Sequence, residues 1–190
     1  MSKEYFNKIV GSYIHRDGID DLMNWLAGTD FYEAPASTKY HLHQRHGLCD
    51  HSCNVFDRLE SLCVAESRTN EHFQMNPESV AIVGLFHDVC KVNYYNLEMR
   101  DRKVDGKWGK FPVYEIDDKF PIGHGEKSVY LLRRYIELTD EEALSIRWHM
   151  GPWVEKDYRT IQIAMQRYPL VTLTQVADMM ATYIDEGDIK

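Results

Sequence analysis

No stretch of this 190-residue chain approaches the roughly 20 apolar residues that a membrane-spanning helix requires, so no membrane association through such a helix is expected. The first residues, Met1-Ser2-Lys3-Glu4-Tyr5, do not form a basic start leading into an apolar stretch, and a secretory leader is not expected. Cysteine is scarce. Cys49, Cys53, Cys63 and Cys90 fall in segments that read as helix and lack disulfide-scaffold spacing, so reduced, buried thiols and a cytoplasmic location are expected. Cys49 and Cys53 share a helix face, but no second thiol pair has the spacing to complete a structural zinc site. Positive charge is also short: 22 Lys and Arg against 30 Asp and Glu leave a net charge of −8. That balance argues against broad binding to duplex nucleic acid, which is driven by phosphate neutralisation. It does not exclude an anionic substrate, because a bound metal supplies local positive charge whatever the overall balance. Internal repeats, low-complexity tracts and long Pro/Gly/Ser linkers are missing too, and the length is that of one domain.

What is present is an ordinary apolar fraction, 44%, arranged mainly with helical spacing. The spacing predicts helices from Lys3 to about Tyr13, from Ile19 to Leu26, and from Gly47 to about Arg68. Residues 29–45, with Pro35, read as loop. Asn76-Pro77-Glu78 is a capped helix start and opens an apolar helix to about Lys91. From Tyr94 to Pro121 aromatic and charged residues alternate, and Asp105-Gly106 between two extended runs predicts a β-hairpin. Helical spacing returns from Gly123 to Ile136, from the capping box at Thr139-Asp140-Glu141-Glu142 to about Met150, from Thr160 to Tyr168, and from Leu170 to Glu186. Strand–helix alternation is missing, so the expected class is all-α with one hairpin.

Nine histidines are the unusual feature. His87-Asp88 stands inside the apolar run Val83-Gly-Leu-Phe-His-Asp-Val-Cys-Lys91. An unpaired carboxylate buried there would cost several kcal/mol, so it needs a partner, and a divalent cation is the most effective one. For the dipeptide alone a surface-breaking polar pair or a buried His–Asp hydrogen bond would be the preferred reading. Other helices change the balance. His51 shares a face with Leu48, Val55, Leu59 and Leu62; Asp178 stands within Leu173-Thr-Gln-Val-Ala-Asp-Met-Met-Ala181; His124 heads its helix, and His149 ends Ile146-Arg-Trp-His. Several polar groups pointing inward from separate helices is how a metal site is built in a bundle core.

The ordered set His51, His87-Asp88, His124, His149 and Asp178, with Gly47-Leu-Cys-Asp ahead of His51 and Lys91 three residues after Asp88, resembles the HD (His-Asp) superfamily of metal-dependent phosphohydrolases. The likeness covers roughly residues 41–187. It is greatest to the two-metal subset that includes the corresponding domain of bacterial 3′–5′ exoribonucleases, although no oligonucleotide-binding barrel is recognisable here. The resemblance implies an HD-domain helical bundle over 1–190, with an N-terminal helical extension at 1–40, a metal-binding core at 41–187 and a hairpin insertion at 94–120. It implies that His51, His87, Asp88 and Asp178 hold a first metal and that Asp88 bridges to a second, completed by His124 and His149. One or two ions of Mn, Fe, Ni, Co or Mg suit such ligands. The implied activity is hydrolysis of a phosphomonoester or phosphodiester, in a nucleotide or short oligonucleotide, by metal-activated hydroxide. The alternative is a sensing or interaction module that keeps the metal cage without turnover.

Asp88 and Lys91 are the candidate catalytic residues; Lys91 would meet a substrate phosphate or else snorkel at the helix end. Arg45 and His46 are candidates for lining a phosphate pocket, ahead of His41 and His43; a polar loop that happens to be His-rich is the alternative, and pocket lining is slightly favoured for His46. Glu126 and Lys127 beside His124 could support it or simply suit a helix start. Trp148 and Trp153 read as packing residues. Tyr94, Tyr95 and Trp108, among Arg100, Arg102, Lys103, Lys107 and Lys110, would suit a nucleotide or single strand, but a solvated hairpin is the better explanation.

Overall fold

The Phe6 ring meets Phe31 at 5.1 Å and Phe86 at 5.6 Å, joining three distant segments in one apolar core. A side chain of this kind, fully buried, contributes roughly 1.5–3 kcal/mol. The computed structural model describes residues 2–38, 42–104, 106–153 and 158–187. Helix α1 (Ser2–Tyr13) brings Phe6, Ile9 and Val10 to this core, and α2 (Ile19–Ala27) brings Leu22 and Leu26. The long helix α3 (Gly47–Thr69) packs against α1. Its start is a backbone device: His46 is left-handed with φ 71°, and Gly47 passes so close to Leu42 that a Cβ there would lie 2.1 Å from its carbonyl oxygen.

Asn76 caps α4 (Pro77–Phe86), accepting from the amides of Glu78 and Ser79, while Pro77 sits where no amide hydrogen is needed. Every residue from Ser79 to Phe86 is buried, with α3 packed alongside. The apolar spacing predicts that this helix runs on to about Lys91. It stops instead at Phe86; Asp88 adopts φ −104°, ψ 16°, and Val89–Lys91 forms a 3₁₀ turn. A tertiary contact accompanies the break: the Cys90 amide donates to Ser128 Oγ at 3.1 Å.

Strands β1 (Tyr95–Val104) and β2 (Lys107–Ile116) form the predicted antiparallel hairpin, Tyr95 opposite Ile116 and Val104 opposite Lys107. Gly106 takes the turn's positive φ, 80°; Asp105 lies outside the described residues. The period of two puts Leu97, Met99, Trp108 and Ile116 on one face, where all are exposed.

Four helices follow: α5 (His124–Leu132), α6 (Asp140–Arg147), α7 (Tyr158–Arg167) and α8 (Pro169–Met180). Both α5 and α6 end about a turn before the predicted Ile136 and Met150. The capping box at Thr139 forms, its hydroxyl accepting from the Glu142 amide and the Glu142 carboxylate accepting from the Thr139 amide. The same buried carboxylate receives Arg16 and Ser79 Oγ, tying α6 to α4 and to the segment after α1. A smaller cluster of Trp148, Ile161, Ala164 and Val171 joins the end of α6 to α7 and α8. Helical structure reaches Asp185 as expected, but Ala181–Asp185 widens into a π turn. Among the described residues no helix is long and apolar enough to cross a membrane.

Candidate metal centre

Two glycines let the site-bearing helices approach. A Cβ at Gly84 would lie 2.7 Å from the Phe56 Cα, so α4 and α3 nearly touch one turn before His87. A Cβ at Gly125 would lie 2.2 Å from the Arg147 carbonyl oxygen, which sets His124, at the head of α5, against the end of α6 and His149. The bond from the Cys90 amide to Ser128 pins α5 to the turn after Asp88, and α8 packs on α3 with Asp178 facing His51.

The structure brings all six sequence-predicted ligands together around Asp88. Its Oδ2 lies 3.7 Å from His51 Nε2 and 3.6 Å from His87 Nε2; its Oδ1 lies 2.9 Å from His124 Nε2 and 3.5 Å from His149 Nε2. Asp178 Oδ1 is 3.2 Å from His51 Nε2. His51, His87, Asp88 and His149 are almost completely buried, whereas the His124 side chain is 30% exposed and marks the open side. One ligand atom each from His51, His87 and Asp88 lie within 4.8 Å of one another, and so do those of Asp88, Cys90 and His124.

The four imidazoles are all oriented the same way. Nδ1 faces outward to a partner, the Gly84 carbonyl at 2.9 Å for His87, the Ile146 carbonyl at 2.7 Å for His149, the Glu186 carboxylate at 3.1 Å for His51, and Cys90 Sγ at 3.2 Å for His124. For His87 and His149 the reason is local. Each follows a helix end, where the last carbonyls lack amide partners, and its ring satisfies the carbonyl three residues back. A carbonyl only accepts, so Nδ1 carries a proton in both rings and Nε2 is the atom turned to the centre; burial acts to lower His149, but Asp88 outweighs it and raises the ring. His124 Nε2 is close to Asp88 Oδ1 but off the hydrogen-bonding direction, and neither Asp88 Oδ1 nor His149 Nε2 has a hydrogen-bond partner among the described residues. Buried polar atoms left unpaired and aimed at one point suit a cation, which directs lone pairs inward and satisfies them together.

Protonation follows the same logic. Burial pushes His87 down to about 3, so its ring is neutral near neutral pH. Burial also acts to lower His51, but the hydrogen bonds and charges of Asp178 and Glu186 outweigh it and raise the ring to about 9. His51 Nε2 then carries a proton toward Asp178 and toward His87 Nε2, 3.2 Å away. Burial would raise Asp88, yet Lys91, His87 and His124 hold it well below the usual carboxylate range. Burial likewise opposes the lowering of Asp178 by His51. Burial lowers His124 and lifts the Cys90 thiol to about 12.

Lys91 Nζ donates to Asp88 Oδ2 at 2.5 Å and is largely buried. Arg45 pairs with Glu33, and His46 Nδ1 lies 2.6 Å from the Tyr32 carbonyl, both in the loop before α3. His43 is exposed, and His41 lies outside the described residues. Glu126 pairs with Arg147, Lys127 Nζ donates to Asp118 at 2.6 Å, Trp148 is buried, and the Trp153 side chain lies outside the described residues. Tyr94 lies beneath Lys127, Trp108 is exposed and Arg100 pairs with Glu115. All four cysteines are free and buried. Sequence reasoning missed Glu186 and the contact of Cys90 with His124. Apolar context around Glu186 is weak, and no local signal marks it.

The chain matches no curated protein and no solved structure. It does match the HD domain over residues 48–182, a span that contains all six converging residues. With a match over most of its length and a His/Asp cluster able to hold a metal, the chain belongs to the HD domain family, whose members are generally metal-dependent phosphohydrolases.

Proposed function

We propose that this chain hydrolyses a phosphomonoester or phosphodiester, in a nucleotide or short oligonucleotide, with one or two divalent cations held at the Asp88 cluster. The observation that carries the reading is the inward convergence of four Nε2 atoms on Asp88, with Asp88 Oδ1 and His149 Nε2 unpaired. In this reading His51, His87, Asp88 and Asp178 would hold a first cation, and Asp88 with His124 and His149 would hold a second. Divalent cations bound there would supply an activated water for attack and would neutralise charge on the phosphate.

The remaining roles belong to the chain's own groups. Burial of His51, His87 and His149 keeps water from competing for their lone pairs and strengthens each charge contact. His124, the most exposed of the four histidines, would lie on the side from which a phosphate arrives. Lys91, which neutralises Asp88 Oδ2, is a positive point charge suited to meeting a phosphate oxygen. Mn, Fe, Ni, Co and Mg remain the cations suited to this His and carboxylate set.

The test is hydrolysis of a panel of phosphomonoesters, cyclic nucleotides, short oligonucleotides and an aryl phosphodiester by the full chain with Mn²⁺, Mg²⁺, Ni²⁺ or Fe²⁺. Turnover that disappears with a chelator supports the reading. Stoichiometric metal without turnover on any phosphoester would favour the sensing module instead.

A further inference from the structure

The C-terminal end of α8 carries a carboxylate that the six-residue cluster does not include. After Met180 the helix widens into the π turn Ala181–Asp185, closed by the Glu186 amide donating to the Ala181 carbonyl at 3.0 Å. In an uninterrupted α-helix each residue advances about 100°, so the residue seven after Asp178, Asp185, would share its face and Glu186 would point well to one side. The π turn takes one more residue per turn and rotates the chain by about one position. Glu186 now faces α3 beside Asp178, and Asp185 is moved off to pair with Arg58.

The seat of Glu186 is built. Its side chain is 1% exposed; Oε1 and Oε2 each lie 3.1 Å from His51 Nδ1, and Oε1 accepts from Asn54 Nδ2 at 2.9 Å. Asn54 and Arg58 lie one and two turns after His51 on α3, so one helix face grips the π turn at three points. An ionised carboxylate only accepts, so the proton stays on His51 Nδ1 and Nε2 is left for Asp178 and the cluster centre. Glu186 also lies outside the span matched by the HD domain.

We infer that Glu186 is a positioning residue that holds the His51 ring and tautomer for metal binding, and that the π turn exists to aim it. This rests on the metal-centre reading above. A carboxylate behind a ligating histidine orients the ring and raises its basicity, and its loss typically weakens metal affinity roughly 10- to 100-fold.

The test compares the wild-type chain with Glu186→Ala, Glu186→Gln and Arg58→Ala. Arg58→Ala loosens the same turn without touching His51. Mn²⁺ affinity is measured by calorimetric titration, and the His51 Nδ1–H resonance by NMR of metal-free, ¹⁵N-histidine-labelled chain. Glu186→Ala is expected to weaken Mn²⁺ binding roughly 10- to 100-fold and to abolish the slowly exchanging, downfield Nδ1–H signal. Glu186→Gln, whose amide oxygen accepts the same proton, should retain the signal and recover most of the affinity, and Arg58→Ala should match the wild type in both. Unchanged affinity and signal in Glu186→Ala overturns the inference, and so does an equal loss in Arg58→Ala, which would make the turn a scaffold only. If the wild type binds no Mn²⁺, the metal reading fails, while the Nδ1–H signal still decides the role of Glu186.

Discussion

Asp88 Oδ1 and His149 Nε2 face each other at 3.5 Å, both buried and neither with a hydrogen-bond partner among the described residues. Leaving such atoms unsatisfied costs roughly 1–3 kcal/mol each, a cost that an ion between them removes.

Asp88→Ala is therefore expected to abolish both metal occupancy and phosphoester hydrolysis, since it removes the one carboxylate that lies beside all four imidazoles of the cluster. Elemental analysis and an aryl phosphodiester assay check this. Full activity in the variant would refute the assignment.

His124→Ala or His149→Ala is expected to lower the bound metal from two ions toward one and leave the His51–His87–Asp178 side in place. The readout is metal per chain after dialysis. An unchanged ratio would indicate a mononuclear centre.

Gly125→Ala and Gly11→Ala should move stability in opposite directions. Alanine normally favours a helix over glycine by roughly 0.5–1 kcal/mol, and a Cβ at Gly11 in α1 meets nothing within 4 Å, so Gly11→Ala should raise Tm. At Gly125 the Cβ would meet the Arg147 carbonyl at 2.2 Å, and overpacking of this kind costs roughly 1–3 kcal/mol. Thermal melts compare the two. A Gly125→Ala variant as stable as Gly11→Ala would mean that α5 and α6 can part without penalty.

The metal-free chain should lose stability as pH rises from 6.5 through about 9. His51 is raised from 6.5 to about 9, so its contribution is complete below 6.5 and is lost as the ring deprotonates near 9. His87 is lowered from 6.5 to about 3, so its contribution is present above 6.5 and lost as pH falls through 3. Tm in chelator is thus expected to be highest near neutrality. Saturating Mn²⁺ should flatten the alkaline decline, because the ion replaces the His51 proton between the same partners. A Tm in chelator that climbs steadily from pH 6.5 to 9 would contradict the His51 environment described here.

Helices and hairpin were legible because their signals are local. Asn76-Pro77, the box from Thr139 to Glu142 and the period-two run around Gly106 act over a few residues and form as the sequence predicts. The ends of α4, α5 and α6 were less legible. The apolar period continues past Phe86, while Ser128, 38 residues after Cys90, takes the amide of the turn that follows it. Arg45 and His46 stand close to His51 in sequence, but the left-handed start of α3 brings them to Glu33 and Tyr32.

The sequence by itself determined which side chains had to find a partner: polar groups within apolar helical faces, as at His51, His87-Asp88 and Asp178, are too costly to bury alone. Only the tertiary structure decided what they meet and which ring atom they present. That depended on helix approach at Gly84 and Gly125, and on a one-residue π widening that turns Glu186 rather than Asp185 toward His51. Such choices depend on shape across distant segments, since moving a helix by an ångström or a turn by one residue changes which atoms touch while the local pattern stays the same.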